Sequence, residues 1–295
     1  MSGMSRRRFL VSAGGLLGVG LTGCLGSQSQ GTERNDVEAS FFVAYDFARN
    51  ISGEETRVGS LVPFGQHGHG WEPSAQIMKR VVGSDAFVYM GEGFQAWVDN
   101  VVRSIRKDHP DIEVIEAREG IQLMSVDEHQ DEHEEGEENG HGDKDPDNSD
   151  TYEQKSEEYK RELTELDKEF EEGLKDRKKN MVVLAGHNSF NYLAERYGFE
   201  VHTPIGLSPD VSPGPQQIKR MREIVEENDL EYILTGALEG DRLARHLAEE
   251  TGTEVLEVTP VAGVKEEWNE KEWGYVEQMR NINLRALEKA LDARN

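Results

Sequence analysis

Between residues 38 and 126 the hydrophobic positions switch repeatedly between two spacings. Short continuous runs, "ASFFVAYDF", "TRVGSLVPFG", "DAFVYMG" and "IEVIEA", have the length and β-branched or aromatic content of buried strands. Between them lie stretches with helical spacing. "PSAQIMKRVVG" places Pro73 at a permitted first-turn position and Gly83 at its end. "FQAWVDNVVRSIRK" aligns Trp97, Val98, Val101, Val102 and Ile105 on one face. Strand and helix in alternation predict a mostly parallel sheet with helices on its faces.

The pattern then stops. Residues 127–150 hold twelve acids, three histidines (His129, His133, His141) and no large apolar residue. Such a stretch cannot contribute to a core and is expected to be a mobile loop. From 151 to 179 one apolar stripe returns, Tyr152, Tyr159, Leu163, Leu166, Phe170 and Leu174, with Glu157–Arg161 and Glu171–Lys175 as favourable i, i+4 pairs. A helix of that length spans roughly 40 Å, enough to cross a whole domain. From 180 to 295 the alternation restarts with "MVVLAG", "NSFNYLAERYG", "FEVHTPIG", "GPQQIKRMREIVEEN", "EYILTG", "DRLARHLAEETG", "EVLEVTP" and a terminal helix "YVEQMRNINLRALEKALDA". The expected fold class is therefore α/β, with two parallel-sheet α/β lobes bridged by one long helix.

The first 24 residues stand outside this scheme. "SRRRFLVSAGGLLGVGLTGC" has a basic front, an apolar stretch too short and glycine-rich for a good membrane span, and then Cys24. Arg6-Arg7 before Phe9-Leu10 resembles a twin-arginine export signal. "LTGC" resembles a lipobox, which would make Cys24 the first mature residue and a site of lipidation. Cys24 is the only cysteine, which excludes an intrachain disulfide and a cysteine zinc site. The polar residues 25–37 read as a flexible tether to the membrane.

The formal net charge of −25 argues against nucleic acid as a partner and leaves a cation as the natural one. The acid excess is spread along the whole chain, so most of it suits a high-salt habitat and only part is metal attraction. Ligands of open α/β sheets collect beyond the carboxyl ends of strands. Ligand-type side chains stand there at His67 and His69 in "FGQHGHGWEPS", at His187 after "MVVLAG", and at Glu239 and Asp241 after "YILTG". Neutral imidazoles with a carboxylate suit Zn²⁺; more oxygen ligands would favour Mn²⁺. His109, His202 and His246 lack that placement and read as structural. The chain has no HExxH, nucleophile elbow or P-loop, so no enzyme chemistry is indicated.

The stretches "HGWEPS", "DAFVYMGEGFQAWVD", "GHNSFNYLAERYGFE" and "WGYVEQMRNINLRALEKAL", in that order across residues 38–293, resemble the cluster A-I substrate-binding proteins. These are metal-binding lipoproteins that serve ABC transporters for zinc and manganese. The resemblance implies two lobes joined by a rigid helix, with the metal in the cleft between them. It also accounts for the acidic His-rich loop, commoner in zinc-type members. Carried over, His69, which opens "HGWEP" ahead of Glu72-Pro73, is the first ligand and His67 an extra. His187 is a second ligand. Asp241 stands at the usual carboxylate position, with Glu239 as the alternative.

One family segment, Asp-Pro-His-Val-Trp-Leu, has no counterpart, and with it a strand and a helix of the N-terminal lobe are expected to be absent. His141, or else His67 or water in a weaker site, is expected to fill the vacant ligand position, with His129, His133 and His141 as accessory collectors of metal. The implied protein is a monomer, lipid-anchored at Cys24 on the cell surface, that passes Zn²⁺ to an ABC permease. Alternatives are a manganese receptor, a secreted zinc-dependent hydrolase, and a surface metal buffer or adhesion protein.

Overall fold

Strand β1 (Val37–Ala39) opens the fold and forms the middle of the first sheet. It pairs in parallel with β2 (Val58–Ser60) on one side and β3 (Ala86–Tyr89) on the other, so Glu38 lies between Gly59 and Phe87. A fourth parallel strand, β4 (Glu113–Glu116), joins β3. The second lobe repeats the plan with β5 (Met181–Leu184), β6 (Glu200–His202), β7 (Tyr232–Gly236) and β8 (Glu254–Val258). The sheet orders are β2-β1-β3-β4 and β6-β5-β7-β8, all pairs parallel. The two-lobe α/β architecture is thus as expected, and among the described residues each sheet has four strands. These observations come from a computed structural model that describes residues 36–54, 56–66, 71–124, 149–206 and 212–293. Within these residues no helix is long and apolar enough to cross a membrane.

The run "ASFFVAYDF" differs from expectation. Only Val37–Ala39 is strand; Phe42–Ser52 is helix α1. Its aromatic and β-branched residues mimic a strand locally, but the segment has two partners. Ala44 packs on the sheet with Ala39 and Val88, while Phe42 joins the core of the second lobe. Burial on both sides hides the helical period, and tertiary packing overrides the propensity. Helices α2 (Ala75–Gly83) and α3 (Ala96–Asp108) cover the other face. Ser74, not Pro73, sets the start of α2, its hydroxyl accepting the Ile77 N–H at 3.4 Å. Val98, Val101, Val102 and Ile105 of α3 are buried against Phe87 and Tyr89, as their spacing predicts.

Helix α4 (Ser149–Leu174) is the bridge. Tyr159, Leu166, Phe170 and Leu174 are buried along it, and Phe170 stacks on Tyr197 with ring centroids 5.2 Å apart. Its ion pairs differ from the predicted ones. Glu157 contacts Lys160 at 2.7 Å, and Glu171 reaches across to Arg196 at 2.7 Å. Helices α5 (Asn191–Tyr197), α6 (Pro215–Glu227) and α7 (Arg242–Thr251) flank the second sheet. A short helix α8 (Glu266–Asn269), invisible in the hydrophobic pattern, precedes the terminal segment. That segment is not one uniform helix. It runs through α9 (Tyr275–Gln278), a π-helical turn (Met279–Leu284) and α10 (Arg285–Ala290).

Candidate metal centre

In the order β6-β5-β7-β8 the direction in which strands are added reverses between β5 and β7. Ligands of open parallel sheets sit beyond the carboxyl ends of the strands at such a reversal. His187 follows β5 and Glu239 follows β7, so both predicted residues flank that point. His187 is 5 % exposed, and its Nδ1 lies 2.9 Å from Oε1 of Glu239. In metal sites generally, a carboxylate on one ring nitrogen fixes the orientation of a histidine whose other nitrogen binds the metal.

Two glycines make this contact possible. A Cβ on Gly186 would lie 2.7 Å from Oε2 of Glu239, and one on Gly236 would lie 2.8 Å from its Cδ. The Glu239 carboxylate therefore occupies the space that side chains at 186 and 236 would fill. Sequence reasoning missed both glycines, although each stands at a strand end, where a close approach to a ligand or another chain segment is a common reason for glycine.

Asp241 is placed differently. It begins α7 with its side chain half exposed, and Oδ2 lies 2.6 Å from Nε of Arg245. The carboxylate beside His187 is the alternative, Glu239. His202 and His246 contact Glu200 at 3.3 Å and Glu250 at 3.8 Å, in keeping with structural roles. Cys24, His67, His69, His129, His133 and His141 lie outside the described residues. Within the described residues no three His, Cys, Asp or Glu side chains form a group that could hold a metal.

The described chain does show where two of those segments begin. Gly65 donates its N–H to the Val264 carbonyl at 2.7 Å, and the Gln66 carbonyl faces Gly263. Gly263 in turn abuts Leu238, the residue before Glu239. The backbone leading to His67 and His69 thus starts against the second lobe, one residue removed from the carboxylate. Met124, which precedes the acidic segment, donates its N–H to the Tyr192 hydroxyl at 2.9 Å. Tyr192 lies at the start of α5, five residues after His187.

The family model for the periplasmic zinc-uptake complex component A, ZnuA, matches residues 37–143 and 138–290. This chain belongs to the ZnuA family. The two matched stretches overlap at residues 138–143, inside the acidic segment. The zinc-binding lipoprotein AdcA of Streptococcus pneumoniae R6 is 27% identical over 90% of this chain, which spans only 58% of that relative. The high-affinity zinc uptake system protein ZnuA of Bacillus subtilis is 28% identical over 90% of both chains. Among solved structures, the Zn(II)-bound ZnuA-like domain of S. pneumoniae AdcA superposes with a TM-score of 0.70 at 26% identity, covering 88% of this chain and all of that one. The metal-dependent lipoprotein YcdH of B. subtilis gives 0.71 at 26%, covering 86% and 98%.

Proposed function

We propose that this ZnuA-family chain is an extracytoplasmic lipoprotein, anchored through Cys24, that captures Zn²⁺ between its lobes and delivers it to an ABC permease. The observation that carries the reading is the buried His187 beside Glu239 at the reversal point of the second sheet. The relatives named for zinc binding or zinc uptake support the choice of metal. In this reading His69 and His187 ligate the ion, and Glu239 either completes the set or orients His187. Asp241 keeps its pairing with Arg245. The position left by the absent family histidine is filled by His141 or His67, with His129 and His133 gathering metal nearby. Capture and release make and break only coordination bonds, so the role is transport rather than catalysis.

Tight binding requires deprotonated imidazoles, so affinity falls as pH drops below the ordinary histidine range. Isothermal titration of the lipid-free protein with Zn²⁺ tests the assignment. One tight zinc per chain, lost in His187→Ala and not displaced by excess Mn²⁺, supports it. Unchanged affinity in His187→Ala removes this residue from the site, and ready displacement by Mn²⁺ makes the protein a manganese receptor.

A further inference from the structure

One hydrogen bond between the lobes ends on Val264, and the loop carrying it, Thr259–Val264, is held in an unusual way. Asn283 brackets Thr259 from both sides. Its side-chain oxygen accepts the Thr259 N–H at 2.8 Å, and its amide donates to the Thr259 carbonyl at 2.9 Å. Both residues are 1 % exposed, so neither bond competes with water. Asn283 lies in the π-helical turn Met279–Leu284. Such single turns are rare and recur near functional sites, because the extra residue re-aims a side chain.

Val261 has φ +56°, a left-handed conformation that is exceptional for a β-branched residue. Its N–H donates to the Thr259 hydroxyl at 3.0 Å, which ties the strained residue to the bracketed one. Strain of this kind persists only where the surroundings over-determine it. Gly263 completes the loop. A Cβ there would lie 2.6 Å from the Gln66 carbonyl and 2.8 Å from Leu238 Cδ1. The loop is thus a buried seat with the first lobe's Gly65 and Gln66 on one side and the residue before Glu239 on the other.

We infer that Asn283 and Val261 are positioning residues that hold this seat rigid, so that the Gly65–Gln66 backbone is docked beside Glu239 before metal arrives. The consequence for metal rests on the zinc-binding reading; the docking itself does not. A loop pre-set in this way slows zinc release, since opening the cleft must first detach Gly65 from Val264.

Val261→Gly removes the strain while leaving every hydrogen bond of the loop available. Global stability is expected to move little, because relief of strain and the added freedom of glycine oppose each other. Asn283→Ala removes the bracket itself. Hydrogen exchange of the Gly65 amide in metal-free protein reads the docking, and stopped-flow transfer of zinc to a chelator reads release. For Val261→Gly, the Gly65 amide is expected to exchange about tenfold faster and zinc to leave roughly tenfold faster, at nearly unchanged melting temperature. Asn283→Ala should go further in both. Unchanged Gly65 exchange in Val261→Gly overturns the rigid seat. Faster exchange with unaltered zinc release overturns its role at the metal site. Wild-type protein that binds no zinc would instead sink the proposed function, and the exchange measurement would still decide whether the seat is rigid.

Discussion

Glu239 and Asp241 are two residues apart, yet the fold gives them different work. Glu239 is turned inward against His187, and Asp241 outward against Arg245. If Glu239 ligates the ion or orients His187, neutralising it as Gln is expected to weaken metal binding by between about 10- and 100-fold. Asp241→Asn breaks an exposed ion pair of small net value, so zinc affinity is expected to fall less than about fivefold. Competitive titration against a fluorescent zinc chelator separates the two; a large loss in Asp241→Asn would return that residue to the ligand set. Gly236→Ala provides an independent check. The backbone at 236 is not left-handed, so the chain accepts alanine, but the new Cβ displaces the Glu239 carboxylate. It should mimic Glu239→Gln in zinc affinity, and an unaffected affinity would mean that the His187–Glu239 contact does not bear on metal.

Among the elements, α4 shows which part of the sequence is readable. Its stripe is hydrophobic at helical spacing over six positions, and the helix starts two residues before and ends five residues before the expected 151–179. Phe170 on that stripe is fully buried, so Phe170→Ala is expected to cost roughly 3–5 kcal/mol in urea unfolding. A loss under about 1 kcal/mol would show that the helix–lobe packing relaxes to fill the space. Helix α1 reads as a strand because packing on two sides erases the one-sided pattern on which periodicity depends. The π-helical turn is hidden for a related reason. Its signal is a buried Asn283 whose partner, Thr259, lies 24 residues away. At the site, strand-end placement points to His187 and to Glu239 and Asp241 alike, and the family resemblance prefers Asp241. The choice between Glu239 and Asp241 depends on side-chain direction, which spacing alone does not encode.

Helix α1 also carries a pH-dependent contact. Asp46 is buried where α1, α4 and α9 meet; it accepts the Tyr275 N–H at 2.9 Å and the Tyr159 hydroxyl at 3.2 Å. Burial pushes its carboxyl above the usual range, against the opposing pull of these two bonds. A raised carboxyl favours the folded state most at low pH, and this contribution is lost as pH rises through the folded value. Asp46→Asn keeps an acceptor for the same donors without a buried charge. Its melting temperature relative to wild type should therefore increase from pH 4 towards neutral pH. A difference that stays flat with pH would show that Asp46 does not titrate in this range.

On the scale of the whole molecule the lobes are joined at separate places. The Gly65 N–H meets the Val264 carbonyl, Asp46 meets the Tyr275 N–H, and Tyr159, Leu166, Phe170 and Leu174 of α4 pack in the core that holds the second lobe. The acidic segment is tied to the described fold at both ends. Met124 is docked on Tyr192, and His129 comes five residues later, within about 17 Å of chain at ~3.4 Å per residue. His141 precedes the start of α4 at Ser149 by eight residues. Both ends of the segment are thus anchored in described structure, one of them on the helix next after His187. Removal of residues 127–144 leaves these anchors and the core untouched, so the melting temperature without metal should not change. If a histidine of the segment completes the site, tight zinc binding disappears and returns when His141 alone is restored within a neutral linker of equal length. If one tight zinc per chain survives the deletion, the cleft residues suffice, and the segment serves only to raise the local concentration of the ion.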